Sequence, residues 1–136
     1  MLTQTLLEEI SYKTIGCIYE VHKVLGPGLL ESVYQVCLLQ ELKNRNLNAA
    51  AFPYVPIIYK GENLGGRFQP DIIVESEILI ELKSVEAMIP LYKSQLLTYL
   101  KLSGKYKGLL VNFNSDNVRE QLSSVVLPEF FELPRK

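Results

Sequence analysis

The chain has one histidine and two cysteines among 136 residues. A lone histidine, His22, excludes metal sites built from several imidazoles and leaves any cysteine–histidine pairing a single choice of base. Its plainest reading is a helix-face residue near a chain reversal. Cys17 and Cys37 lie far apart on segments that read as helical, and no CxxC pair is present. They are expected to be free, mostly buried thiols of a reducing cytoplasm rather than a disulfide. No run is long and uncharged enough to span a membrane. Met1-Leu2-Thr3-Gln4 lacks the basic start, apolar run and small-residue cleavage site of a signal peptide. The phosphate-loop, GxGxxG, HExxH and GxSxG patterns are all missing. With a net charge of −1, the molecule as a whole is no generic binder of polyanions.

What is present is a chain that is 48% hydrophobic, enough for one domain over residues 1–136 with a single buried core. Charge is unevenly spread. Residues 46–82 carry Lys60 and Arg67 against Glu62, Asp71, Glu75, Glu77 and Glu81, a net of −3. Residues 83–107 carry Lys83, Lys93, Lys101, Lys105 and Lys107 against Glu86, a net of +4. A basic segment after an acidic one suits a phosphodiester backbone running over Lys93, Lys101 and Lys105. The competing reading is a solvated helix face.

Helical periodicity runs over residues 3–25 through Leu6, Leu7, Ile10, Ile15, Ile18, Val21 and Leu25, and Gly26-Pro27-Gly28 stops it. A second helix is expected from about Leu29 to Arg45. Phe52 to Tyr59 reads as a strand whose Pro53 and Pro56 favour an edge, and Lys60-Gly61-Glu62-Asn63 as a turn. Phe68 to Val74 and Ile78 to Val85 alternate like the arms of a hairpin around Glu75-Ser76-Glu77. Pro90 opens a third helix reaching Gly104. Lys107 to Phe113 reads as a buried strand, and the tail from Asn114 adds a short one at Ser124–Leu127. The order helix, helix, three strands, helix, strand implies a mixed sheet with flanking helices, of α/β or α+β type.

The hairpin carries the chemistry. Centred on Ser76, it sets Asp71 opposite Glu81, with Cβ atoms ~4.5–5.5 Å apart, where like charges repel. The side-chain period of two puts Lys83 on the face of Glu81 and sends Ile78, Ile80 and Leu82 to the other, toward the core. Two carboxylates forced together beside an ammonium are poor structural glue. They suit a hard divalent cation, Mg²⁺ or Mn²⁺, with a water to activate. The Leu82 backbone carbonyl, between the two side chains, is a further candidate ligand. Glu31, in the first turn of the second helix, is either favoured there by the helix dipole or a functional acid aimed at the sheet. Tyr34 follows at i+3 on the same face. Gln95 on the third helix is either a boundary residue or a ligand or water positioner.

Pro70-Asp71 followed by Glu81-Leu82-Lys83 resembles the signature of the PD-(D/E)XK nuclease superfamily. Gly28-Leu29-Leu30-Glu31-Ser32-Val33-Tyr34 fits the motif naming its GxxExxY branch. The likeness extends over about residues 10–115, through Glu20-Val21-His22, Leu25 to Gly28, Tyr59-Lys60-Gly61, Gln95 to Lys101 and Leu109 to Phe113, leaving a tail of 116–136. The resemblance implies a restriction-endonuclease-like core of order αβββαβ, with the N-terminal helix as an addition. It also implies metal on Asp71 and Glu81, Lys83 supporting the nucleophilic water, Glu31 as an extra acid and Gln95 lining the site. Where relatives commonly carry histidine shortly before that glutamine, this chain has Tyr92.

The reading is therefore a Mg²⁺- or Mn²⁺-dependent nuclease acting on DNA or RNA. Its alternative is a nuclease-fold module that binds nucleic acid or a partner protein without cutting. One small domain has little room for sequence readout, so specificity would need a homodimer or a partner protein.

Overall fold

In the computed structural model, which describes residues 1–65 and 68–136, α1 spans Gln4–Leu25. The Thr3 hydroxyl caps it, accepting from the Leu6 N–H at 3.1 Å. Leu7, Ile10, Thr14, Cys17, Ile18 and Val21 form its buried stripe. Gly26 ends it at φ 70°, and its N–H reaches the His22 carbonyl at 2.8 Å; a glycine enters that left-handed region without strain. Arg67, counted in the acidic segment's charge, lies outside the described residues.

The second helix, α2, spans Glu31–Asn44 and buries Tyr34, Leu38 and Leu42. Strand β1 follows at Ala49–Ala51, then β2 at Val55–Tyr59, β3 at Glu62–Phe68, β4 at Ile72–Val74 and β5 at Ile78–Lys83. Helix α3, Pro90–Ser103, returns over the sheet to β6, Lys107–Asn112, and β7, Leu122–Val126.

One sheet has the order β1-β4-β5-β6-β7, and β2 and β3 form a separate two-stranded sheet. Within the larger sheet only β5 and β6 run parallel, as the intervening α3 requires. Apolar residues cover both faces of its centre. Ile78, Ile80 and Leu82 join Leu109 and Val111 in one core cluster with α1 and α2. Leu79 and Leu110 join Leu96 and Leu100 of α3 in the other.

The sequence of α2, β1, β4, β5, α3 and β6 is the αβββαβ core that the resemblance implied, with α1 preceding it and β2–β3 inserted. Its first strand is not the expected one. Phe52 to Tyr59 is broken because Phe52 turns at φ 45° and Pro53 has no N–H to offer a ladder. The three alanines before it pair with β4 instead. Val55–Tyr59 pairs with β3, and Pro56 sits at an irregularity of that register.

The hairpin arm Phe68 to Val74 is also divided. Phe68 pairs with Val55, Gln69-Pro70-Asp71 leads out of that sheet, and pairing with β5 covers Ile72 to Val74. The second arm ends at Lys83 rather than Val85. The tail is better structured than its pattern suggested. Strand β7 lies antiparallel to β6, and the Gln4 and Thr5 N–H groups donate to the Pro134 and Arg135 carbonyls at 2.8 and 2.9 Å.

Cys17 and Cys37 are free thiols, and burial pushes the Cys17 thiol up. His22 contacts the Ser115 carbonyl through Nε2 at 2.6 Å, tying α1 to the tail. Among the described residues no helix is long and apolar enough to cross a membrane.

Candidate active site

The hairpin turn places Glu75 and Ser76 at φ 52° and 58°. Glu75 is held there because its carboxylate accepts from the Asn48 N–H at 2.7 Å. The pairs Val74–Ile78, Ile73–Leu79 and Ile72–Ile80 are all centred on Ser76. Continued by one pair, this register sets Asp71 against Glu81 at the open end.

The two acids are locked reciprocally. Asp71 Oδ2 accepts from the Leu82 N–H at 2.7 Å, and Glu81 Oε1 accepts from the Asp71 N–H at 3.2 Å. The Asp71 carbonyl accepts from Gln35 Nε2 at 2.9 Å and from the Phe52 N–H at 3.0 Å. Glu81 is 9% exposed. Burial, and then the neighbouring Asp71 charge, push its carboxyl up to about 8. Burial also raises Asp71, with Glu31 adding to the rise and the Leu82 N–H opposing it. Two carboxyls held this close and this far from water resist carrying two negative charges. The pair thus titrates as a unit that keeps a proton near neutral pH.

Glu31 reaches the same end of the sheet from α2, where its Oε2 accepts from the Ser84 N–H at 3.1 Å. Tyr34 sets the path of the preceding loop. Its hydroxyl donates to the Gly26 carbonyl at 2.6 Å and accepts from the Leu29 N–H at 3.2 Å. Its ring stacks on Phe113, with centroids 4.4 Å apart. Lys83 emerges on the Glu81 face and lowers both carboxyls by its charge. Its Nζ lies 4.4 Å from the centroid of Tyr92, so this ring holds the ammonium through its π face.

Gln95 is hydrogen-bonded to Tyr99, whose phenol is raised by burial and then by the charges of Glu81 and Asp71. Tyr99 thus lies within reach of the acids' charge, with its ring stacked on Phe68 at 4.6 Å. Sequence reasoning assigned no role to Tyr99 or Gln35. The available signal was helical spacing, since Tyr99 is at i+4 from Gln95 and Gln35 at i+4 from Glu31; the structure buries the Gln35 amide, 7% exposed.

The donor set fits a magnesium-type ion. Among the described residues no three His, Cys, Asp or Glu side chains form a ready metal cage. Mg²⁺ needs none, since it takes one or two carboxylates and keeps waters or phosphate oxygens for the rest. The Lys83 carbonyl accepts from the Phe113 N–H at 2.9 Å, toward β6. Backbone groups alternate sides along a strand, so the Leu82 carbonyl is directed the other way, toward Asp71.

The basic strip is not continuous with this site. Because α3 runs back along the sheet, Lys93 stays near the Lys83 end while Lys101 and Lys105 lie toward the hairpin turn. Lys105 Nζ pairs with Glu77 Oε1 at 3.7 Å, about 20 Å of extended chain away from Lys83. Lys101 lines a surface hollow that includes Glu129 and Glu132.

A family model described as the PD-(D/E)XK nuclease superfamily matches residues 8–125. The crystal structure of SSO0001 resembles this fold with a TM-score of 0.50 and 24% identity, covering 72% of this chain and 50% of that one. This chain thus spans half the length of that relative. An alkaline exonuclease (LHK-Exo) from Laribacter hongkongensis aligns with a TM-score of 0.40 and 14% identity, over 79% of this chain and 74% of that one. No curated protein is similar in sequence at a significant level.

Proposed function

The chain belongs to the PD-(D/E)XK nuclease superfamily, and from that premise we propose that it hydrolyses phosphodiester bonds in nucleic acid with Mg²⁺ or Mn²⁺. The observation carrying this reading is the opposed pair of half-buried Asp71 and buried Glu81, reciprocally bonded beside Lys83. Asp71, Glu81 and the Leu82 carbonyl would hold the ion, with Glu31 bordering it. When bound, the ion polarises a phosphoryl oxygen and acidifies a water.

The chain's own groups do the remainder. With a cation held between them, Asp71 and Glu81 would release the pair's proton to solvent, and the restored negative charge would anchor the ion. The Lys83 ammonium, oriented by the Tyr92 ring, holds the attacking water or offsets charge building on phosphorus. The Gln95 amide and the Tyr99 hydroxyl hydrogen-bond one another and line the side of the site covered by α3. Glu31 ties the α2 terminus to the backbone after Lys83, so helix and hairpin present their acids together.

The motif Gly28 to Tyr34 supports placement in the GxxExxY branch. The reading treats residues 1–136 as one domain working in the cytoplasm, with a second copy or a partner protein supplying specificity. Tyr92 in place of histidine favours a second reading, a nuclease-fold module that binds nucleic acid or a protein without cutting.

The test is cleavage of labelled single- and double-stranded DNA and RNA with Mn²⁺, by wild type and by Asp71→Ala, Glu81→Ala and Lys83→Ala. Cleavage by wild type, lost in all three folded variants, is the expected result. Wild-type turnover in any variant removes that residue from the mechanism. Binding of nucleic acid without cleavage by wild type supports the second reading.

A further inference from the structure

At the far end of α2 from Glu31, about 20 Å along the helix axis, a hollow of roughly 520 Å³ opens on the outer side of α1. That size is in the range of small-molecule sites. Tyr12, Gly16 and Tyr19 stand at i, i+4 and i+7 on α1, opposite its buried stripe. Ile15, Lys13, Arg45 and Arg119 complete the lining, and no carboxylate lines it among the described residues.

The cations are arranged, not merely present. The Arg119 guanidinium stacks on Tyr19, with Cζ 4.2 Å from the ring centroid, which leaves its N–H edge free for an anion. Arg45 is held by Glu41 through Nε at 3.3 Å, and its Nη1 lies over Gly16, 2.9 Å from where a β-carbon would stand. Glycine inside a helix weakens it relative to alanine, yet here it clears the notch the guanidinium occupies. Tyr12 is left 80% exposed at the rim, an aromatic face with nothing of this chain required to cover it.

Planar rings beside fixed guanidinium edges match one chemistry, an aromatic base carrying a phosphate. We propose that this hollow binds a nucleotide unit, with phosphate on Arg45, Arg119 and Lys13 and the base against Tyr12. The inference does not depend on hydrolysis at the hairpin. The unit is either a free mononucleotide or one residue of a single strand.

The experiment is titration of wild-type protein in EDTA, so that no cleavage intervenes, with AMP and separately with a short single-stranded oligonucleotide. Amide NMR shifts map the contacts, and anisotropy of a labelled oligonucleotide reads affinity. The expected result is shifts at Tyr12, Lys13, Gly16, Tyr19 and Arg119, with at least tenfold weaker binding in Arg119→Gln and in Gly16→Ala. Gly16→Ala should melt no lower than wild type, so its loss cannot be unfolding. A strand bound tenfold or more tightly than AMP identifies nucleic acid as the source, and equal affinity identifies the free nucleotide. Silence of these resonances with both ligands, or binding unchanged in both variants, overturns the proposal whatever the hairpin does.

Discussion

Replacing Glu81 by glutamine should make the metal-free protein more stable, by an amount that grows with pH. The folded carboxyl titrates at about 8 against an ordinary 4.5. Between those values the native state holds a proton that the unfolded chain has released, so unfolding free energy falls as pH rises. At ~1.4 kcal/mol per pH unit, the cost is under about 1 kcal/mol at pH 5, about 3 kcal/mol at pH 7 and about 5 kcal/mol above pH 8. A glutamine amide can still accept from the Asp71 N–H and donate to the Asp71 carboxylate, as the protonated acid does, without needing a proton from solvent. Urea unfolding of wild type and Glu81→Gln in EDTA at pH 5, 7 and 9 would measure the difference. A difference under about 1 kcal/mol at pH 5 that widens at pH 7 and levels off above pH 8 is expected. A difference independent of pH would refute the argument that burial and the Asp71 charge hold the proton on this pair.

Three further outcomes follow from the geometry. Tyr34→Phe strips a buried hydroxyl from the Gly26 carbonyl and the Leu29 N–H, and should cost about 1–3 kcal/mol of stability by chemical denaturation. Tyr92→Leu removes a cation–π contact worth ~0.5–1 kcal/mol and should slow cleavage roughly 2–5-fold, while Tyr92→Phe keeps the ring and the rate; equal loss in both would show that the ring is not what holds Lys83. Neutralising Lys93 should weaken nucleic-acid binding at the site in a salt-dependent way, whereas Lys105→Gln, freeing Glu77 instead, should leave affinity unchanged in anisotropy titrations.

The acidic pair was legible because a short polar turn and a period of two determine which residues oppose each other, and the three pairs from Ile72 to Ile80 obey that arithmetic. The core order was legible too, although its first strand was not. Ala49–Ala51 has no β-branched or aromatic residue to announce it, and it is a strand because β4 offers an edge to pair with. The apolar run after it was the better strand by propensity and went to another sheet, diverted by the Phe52 turn.

Residues whose roles depend on what packs opposite were hidden. Gln35 acts on a backbone carbonyl 36 positions away, and Tyr99 meets the acids because α3 crosses the sheet. The same reversal of α3 carries Lys101 and Lys105 away from the site. A run of lysines close in sequence says nothing about direction once a helix turns back.

The most direct test of a metal held by the hairpin acids is calorimetric titration of Mn²⁺ at pH 7 in two buffers of different ionisation enthalpy, with wild type, Asp71→Ala and Glu81→Ala. With the Glu81 carboxyl at about 8, wild type should bind the ion and release about one proton to the buffer, and both variants should lose binding. Wild-type binding without proton release, binding retained in both variants, or no binding by wild type would contradict the account.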